Sequence, residues 1–268
     1  MIRSTVLCAV LAGLPAVSTA QSGAVRYDQA TRFDFELPPG MAQNPAFLAN
    51  MPKASVKPMQ LTFDADATLF AAVPAGAESR RVVGDGEVQI LSRGGGVAMV
   101  REIEGGMVAS RMMGFMGGRG SDVVAGAYTD LANGSYVEVR EFLGRTFRIP
   151  AERPVFAWKL TGEAASFLGH PVYQAIATQD STTIEAWFTP DIPIAAGPAQ
   201  YGGLPGLILT LAVDSNRVVY TATAVDLAAV VGPIKAPSEG SEVTRAEYDR
   251  IVAEKQAEMA KARRGRRN

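Results

Sequence analysis

The architecture is set by a stiff corner that reads Glu185-Ala-Trp-Phe-Thr-Pro-Asp-Ile-Pro-Ile194 and then Tyr201-Gly-Gly-Leu-Pro-Gly-Leu-Ile-Leu209. Alternating apolar runs over 182–189 and 206–213 predict two strands that flank this corner. Pro190, Pro193 and Pro198 lie in the first part of the segment between the strands. Because proline fixes φ and cannot donate to a sheet ladder, the chain must leave the sheet and return through a tight turn.

Glycines complete the corner. Gly202 and Gly203 permit backbone angles that other residues avoid, and Gly206 lets the next strand pack closely. Two interpretations stay open: a corner that serves the scaffold, or a rigid exposed loop that grips a ligand. In the second interpretation the candidate ligand-binding or partner-binding residues are Trp187, Phe188, Tyr201, Gly203, Leu204 and Pro205.

Two-residue alternation continues on both sides of the corner, in short runs separated by Gly, Asp, Asn or Pro. The other candidate strands are 60–65, 86–91, 97–103, 107–115, 122–128, 135–140, 145–149, 155–160, 171–178 and 217–226. Turn signals such as Asn133-Gly134 join them. The sequence therefore predicts a mainly β fold: an extended, curved antiparallel sheet, of meander or half-barrel type, with a C-terminal α-helix.

The period changes near the C-terminus. Thr244-Arg-Ala-Glu247 matches a capping box, and an apolar stripe at helical spacing follows, so a helix is predicted over 244–262. The predicted organisation is a signal peptide at 1–20, an extended and loosely structured lead-in at 21–59, a β domain at 60–232, a linker at 233–241, and a helix with a basic tail at 242–268.

The first twenty residues have the pattern of a secretory signal: a positive start, an apolar stretch and the small residues Ser18-Thr19-Ala20. Cleavage before Gln21 would remove Cys8, the only cysteine. The mature chain would then contain no disulfide, thiolate nucleophile or cysteine metal site. We expect an exported protein, located in the periplasm or outside the cell.

Charge patterning restricts the partners. Residues 244–268 carry eight Lys/Arg against four Asp/Glu, whereas the whole chain is close to neutral, so we expect no nucleic-acid binding. No apolar run after the signal is long enough to span a bilayer. The basic tail is either a solvated terminus or a peripheral contact to anionic lipid or an acidic protein. The expected partners are an envelope protein or a lipid.

Catalytic patterns are weak. His170 is the only histidine and lies in a turn context, and P-loop, G-x-S-x-G and H-E-x-x-H motifs are missing from the sequence. Carboxylate pairs such as Glu138 with Glu141, or Glu185 with Asp191, are generic and resemble ordinary strand faces. We therefore assign no catalytic residue and no cofactor, and an uncharacterised hydrolase is the least favoured hypothesis.

A methionine cluster gives a second hypothesis. Met107, Met112, Met113 and Met116 lie within ten residues. Thioether sulfur is a soft ligand that suits Cu(I), provided that the segment bends at Gly114. The competing interpretation is an adaptable apolar surface in which methionine fills irregular gaps.

Several motifs resemble those of the GLPGLI family. The naming motif is present as Gly203-Leu-Pro-Gly-Leu-Ile208, and Asp130-Leu-Ala-Asn-Gly-Ser-Tyr136 and Trp158-Lys-Leu-Thr-Gly162 are also similar. The resemblance covers roughly residues 60–230 and implies an exported bacterial protein, without an activity that transfers. The favoured function is a non-enzymatic binding or assembly module for an apolar ligand or a partner protein, in which a concave sheet face holds the ligand.

Overall fold

One large sheet forms the body of the protein. The computed structural model describes residues 22–32, 52–73, 80–83, 86–88, 92–93, 96–97 and 124–265. In chain order the strands are β1 (Gly23–Arg32), β2 (Pro52–Phe63), β3 (Ala67–Ala72), β4 (Arg80–Val83), β5 (Gly86–Val88), β6 (Ser92–Arg93), β7 (Gly96–Val97), β8 (Gly126–Asp130), β9 (Ser135–Phe142), β10 (Arg145–Glu152), β11 (Lys159–Phe167), β12 (His170–Gln179), β13 (Thr182–Thr189), β14 (Leu207–Val213), β15 (Val218–Asp226) and β16 (Ser241–Glu242), and the helix is α1 (Arg245–Gly265).

The sheet is a long antiparallel array with two open ends. Its order is β11-β12-β13-β14-β15-β1-β2-β3-β8-β9-β10-β16, and β4 and β5 extend from β2. Among the described strands, only the short β16 pairs in parallel, with β10. The predicted class is confirmed: mainly β, with an extended, curved, open sheet and a helix near the C-terminus.

Contacts between aromatic rings show how strongly the sheet curves. Phe70 on β3 and Tyr220 on β15 are three strands apart, which in a flat sheet corresponds to roughly 14 Å. Their ring centroids are only 5.8 Å apart, and Tyr27 on β1 contacts Phe70 at 6.1 Å. The three rings therefore share a concave face, where the largest hydrophobic cluster forms.

Strand β1 differs from the loosely structured lead-in that the sequence predicted. It pairs with β2 on one side and with β15 on the other, so it lies in the middle of the sheet. Val25, Tyr27 and Gln29 alternate into the core, whereas Arg26 is exposed. Because Gln29 is polar, the alternation of apolar and polar residues that would indicate a strand is weak here. Pairing with a neighbouring strand on each side forms the strand in spite of this weak local preference.

The edges of the sheet are protected against further pairing. At one edge Val243 N donates to Arg148 O, so the backbone groups of Arg148 point outward from the sheet. The backbone of Pro150, two residues later, points the same way, and proline has no N–H to donate to another strand. At the other edge the β11–β12 register shifts between Leu160 and Ala164, around Gly162 with a φ of +88°. This bulge protects the second edge, and the predicted strand 155–160 is observed further along the chain, as β11.

Helix α1 is attached to the sheet by its first turns. Tyr248 is buried against Phe147 on β10, with ring centroids 5.4 Å apart, and Ile251 and Val252 pack on the same small cluster. From residue 253 to residue 262 the helix is exposed apart from the half-buried Met259. Within the described ranges no helix is both long and apolar enough to cross a membrane.

The predicted capping box is present at the start of this helix. Glu247 Oε2 accepts from Thr244 N at 2.9 Å, and Glu247 N donates to Thr244 Oγ1 at 3.2 Å. The hydrogen bond from the Thr244 backbone, followed by that from its hydroxyl, lowers the pKa of Glu247 below the ordinary value of 4.5.

This cap predicts a dependence of helix stability on pH. Because the pKa of Glu247 is lowered in the folded protein, the stability that its charged carboxylate contributes is fully present above pH 4.5. That stability is lost as the pH falls through the lowered pKa of the folded state. We expect an NMR titration of the Glu247 side chain to give a midpoint below 4.5, and Thr244→Ala to move it upward. A midpoint at or above 4.5 in the unsubstituted protein would contradict the cap.

Candidate binding groove

The corner between β13 and β14 folds back onto the concave face. Its apolar side chains are buried in the main core: Ile192, Ile194, Ala196, Ala199 and Leu204. Tyr27 on β1 donates its hydroxyl hydrogen to Ile208 O at 2.6 Å, in a buried contact. Much of the concave face that the sequence assigned to a ligand is therefore covered by this chain's own corner.

Backbone hydrogen bonds make the corner rigid. Leu207 N donates to Ile192 O at 3.0 Å, Ile208 N donates to Ala196 O at 3.0 Å, and Gly203 N donates to Ala195 O at 3.2 Å. Trp158 adds a side-chain bond, from Nε1 to Gly202 O at 2.9 Å. These bonds cross the corner from side to side, so its backbone cannot change shape without breaking them.

Two glycines of the corner are required by close contacts. A Cβ on Gly206 would lie 2.1 Å from Thr189 O, and its φ is +154°. A Cβ on Gly202 would lie 1.6 Å from Nη2 of Arg153, because that guanidinium rests directly on the Gly202 backbone. By contrast, Gly203 has a φ of +87° with open space around it.

The predicted site residues separate into three environments. Trp187 and Phe188 point to opposite faces of β13: Phe188 is buried in the core, whereas Trp187 donates to Glu185 Oε1 at 3.2 Å. Leu204 is buried. Gly203 and Pro205 are exposed, and Tyr201 is half-buried against Phe156, with ring centroids 5.2 Å apart. These residues do not form one pocket.

A groove of about 670 Å³ lies beside the corner. It is lined by the turn before β9, the end of β10, the segment that follows, and the corner: Asn133, Gly134, Ser135, Ala151, Glu152, Arg153, Pro154, Val155, Phe156, Gly202 and Gly203. Val155 is 94% exposed there. The groove combines polar side chains, apolar side chains and bare glycine backbone. Its volume is in the range of sites that hold a small ligand or a few peptide residues.

Arg153 is the charged group at the inner side of this groove. It is half-buried, and its Nη2 donates to Ala195 O at 2.6 Å. Burial lowers the pKa of its guanidinium. The sequence analysis placed Val155 and Phe156 in the candidate strand 155–160 and did not identify Arg153 as a site residue. The only local signal was Pro154, which ends a strand pattern immediately after an arginine.

Polar side chains are also buried in the sheet, among them Gln29 and Glu138. Glu138 is almost fully buried and forms ion pairs with Arg140 and with Arg245 of α1. Both polar side-chain atoms of Gln29 and the hydroxyl of Tyr136 are buried without a hydrogen-bond partner in the described part of the protein. Such atoms reduce stability, because burial removes their contacts with water.

Two buried tyrosines give a matched test of this packing. Tyr27→Phe removes the hydrogen bond to Ile208 O, so we expect the free energy of unfolding to fall by about 1–2 kcal/mol. Tyr136→Phe removes a hydroxyl that has no hydrogen-bond partner among the described residues, so we expect no loss, or a gain of up to about 1 kcal/mol. Urea unfolding measures both. An equal fall in the free energy of unfolding in the two variants would contradict the difference between the bonded hydroxyl of Tyr27 and the hydroxyl of Tyr136.

The described residues show no catalytic arrangement. His170 Nδ1 lies 3.3 Å from Asp191 Oδ2 at the surface, and Glu185 is bound by Gln174 and Trp187 instead. Glu138 is buried, whereas Glu141 is exposed. Within the described ranges no group of three or more His, Cys, Asp or Glu residues is placed to hold a metal ion.

Other predictions fall outside the described residues. They are the signal peptide at 1–20, the candidate strand at 97–103 apart from its first residue, the candidate strand at 107–115, and the methionine cluster Met107, Met112, Met113 and Met116. The last residues of the basic tail, 266–268, also lie outside. The copper hypothesis therefore stays a prediction.

The fold and the groove define a class: an open, curved β-sheet protein with a rigid corner beside a candidate binding groove. Residues 148–210 match the model of a family described as a protein of unknown function (Porph_ging). The matched segment runs from β10 through the corner into β14, so it includes Arg153 and Gly202. No curated protein matches the chain in sequence.

Two solved structures of PNGF-II, in the C2 and P21 space groups, are similar to this chain. Their TM-scores are 0.46 and 0.47, with 15% and 17% sequence identity. The similarity covers 87% of this chain and 33% of each PNGF-II chain. This chain therefore spans about a third of the length of those structures.

Proposed function

We propose that this protein is a non-enzymatic binding module of the bacterial envelope, related to the GLPGLI family, that holds an extended segment of a partner protein in its groove. The observation that carries the proposal is the open groove beside the corner, where Val155 is 94% exposed. The export signal predicted at residues 1–20 supports a periplasmic or extracellular location.

The lining of the groove favours a peptide over a lipid. Lipid chains require a continuous apolar cavity, whereas this groove presents Asn133, Ser135, Glu152 and Arg153 beside Val155 and Phe156. Gly203 is exposed and has no side chain, so its backbone is accessible to the main chain of a ligand. On the concave face, the side chains of the corner take the place that an apolar ligand would need.

Rigidity adds to this proposal. A binding surface that is already ordered loses little conformational entropy when its ligand arrives. The corner is fixed by its own hydrogen bonds and by Trp158, so one wall of the groove is preformed. Exposed rigid loops on a sheet scaffold are common places for binding residues.

Selection of peptides displayed on phage tests the proposal. We expect the purified protein to enrich related short sequences from a random library, and synthetic copies to bind with micromolar dissociation constants. Val155→Arg should abolish this binding, whereas Val230→Arg, at an equally exposed valine outside the groove, should not. Failure to enrich any sequence, or equal loss in both variants, would contradict the proposal.

A further inference from the structure

Arg153 differs from the other half-buried arginines of the described chain. Arg140 and Arg148 each form an ion pair with a carboxylate, Glu138 and Glu242 respectively. Among the described residues no carboxylate oxygen lies within 4.0 Å of the Arg153 guanidinium. A partly desolvated cation without a counter-ion is unfavourable, and the lowered pKa of Arg153 has the same cause.

The geometry directs the guanidinium at the groove. Arg153 and Gly202 both line the groove, and the guanidinium rests on the Gly202 backbone, where any other side chain would collide with it. One of its five N–H donors is used by Ala195 O. This bond and the glycine contact fix the plane of the guanidinium, so a fork of donors is preformed for a ligand.

We infer that Arg153 binds a carboxylate of the segment held in the groove, through a charge-assisted and bidentate contact. This inference rests on the proposed function and specifies its ligand chemistry. A carboxylate matches the planar fork of a guanidinium and supplies the missing counter-charge. The carboxylate belongs either to an Asp or Glu side chain of the segment or to its C-terminus.

The second charged residue of the groove is compatible with this assignment. Glu152 is exposed, so water screens its negative charge. Arg153 is half-buried, so water screens its charge less and it interacts more strongly with a charge on the ligand. A carboxylate is therefore held at the Arg153 end of the groove, and Glu152 disfavours an acidic group near its own side chain.

Paired peptides test the inference with the unsubstituted protein. For each selected peptide we would compare the acidic form with versions in which Asp or Glu is replaced by Asn or Gln, and with a form amidated at the C-terminus. We expect one of these changes to weaken binding at least about 10-fold, and its identity distinguishes side-chain from C-terminal recognition. If every neutral form bound as tightly as its parent, the inference would be overturned.

Variants of Arg153 assign the effect to its side chain. Arg153→Gln should remove the difference between acidic and neutral peptides, and Arg153→Lys should retain part of it, since lysine keeps the charge but loses the fork. Arg26→Gln, at an exposed arginine of β1, is the matched control. If Val155→Arg abolishes binding but the charge of the peptide has no effect, the proposed function holds and the carboxylate assignment fails. If no peptide binds, both fail.

Discussion

Replacing Gly206 by alanine is expected to lower the free energy of unfolding by about 3 kcal/mol or more. The new methyl group would be placed 2.1 Å from Thr189 O and 2.6 Å from Thr189 C, both of which are backbone atoms that cannot rotate away. The backbone at Gly206, with a φ of +154°, is also one that glycine alone adopts readily. Relief of the clash requires the corner to separate from the end of β13, which would expose buried Leu204 and Leu207.

Gly203→Ala is the matched control in the same corner. Gly203 also has a positive φ, of +87°, but no atom lies within 4 Å of the position that its Cβ would occupy. Only backbone strain remains, so we expect a loss of about 1 kcal/mol. Urea unfolding, followed by the fluorescence of Trp158 and Trp187, measures both variants. Equal losses would mean that the close approach at Gly206 does not hold the corner.

Glu138→Gln is the second substitution for which we expect a large effect, a loss of about 3 kcal/mol. Glu138 is almost fully buried and forms ion pairs with Arg140, which is 11% exposed, and with Arg245. Glutamine has the same size but no charge, so the ion pair between Arg140 and Glu138 would be lost in a largely desolvated position. The Arg245 pair contributes less, because that side chain is 45% exposed and water screens it.

Glu242→Gln provides the comparison for this ion pair. Glu242 is 60% exposed and lies 3.2 Å from Arg148, so its loss should cost no more than about 1 kcal/mol. Circular dichroism during urea unfolding reports on both variants. Glu138 also joins β9 to the first residue of α1, so we expect its substitution to loosen the helix. A Glu138 variant as stable as the Glu242 variant would contradict this role.

Local patterns in the sequence predicted the elements that depend on local chemistry. The strand predicted at 182–189 is the observed β13, and the strand at 206–213 differs from β14 by one residue. Alternation over apolar residues was clear there, and proline marked the end of the strand. The capping box placed the start of α1 within one residue, because Thr244 and Glu247 need only each other.

Features that depend on distant contacts could not be predicted in this way. Gln29 looks like a surface residue, and only pairing with both β2 and β15 places it in the core. The groove forms where Arg153 meets Gly202, across 49 positions of the chain, and no pattern in the sequence links the two. Trp187 and Phe188 were grouped because they are aromatic neighbours, although successive residues of a strand face opposite ways.

The most direct test of the groove is a set of proton–nitrogen NMR spectra recorded while a selected peptide is added to labelled protein. We expect shift changes at the amides of Ser135, Val155 and Gly203, on three sides of the groove, and none at Leu61 in the core. Changes that appear at core residues of the concave face, while the groove amides stay constant, would contradict the assignment.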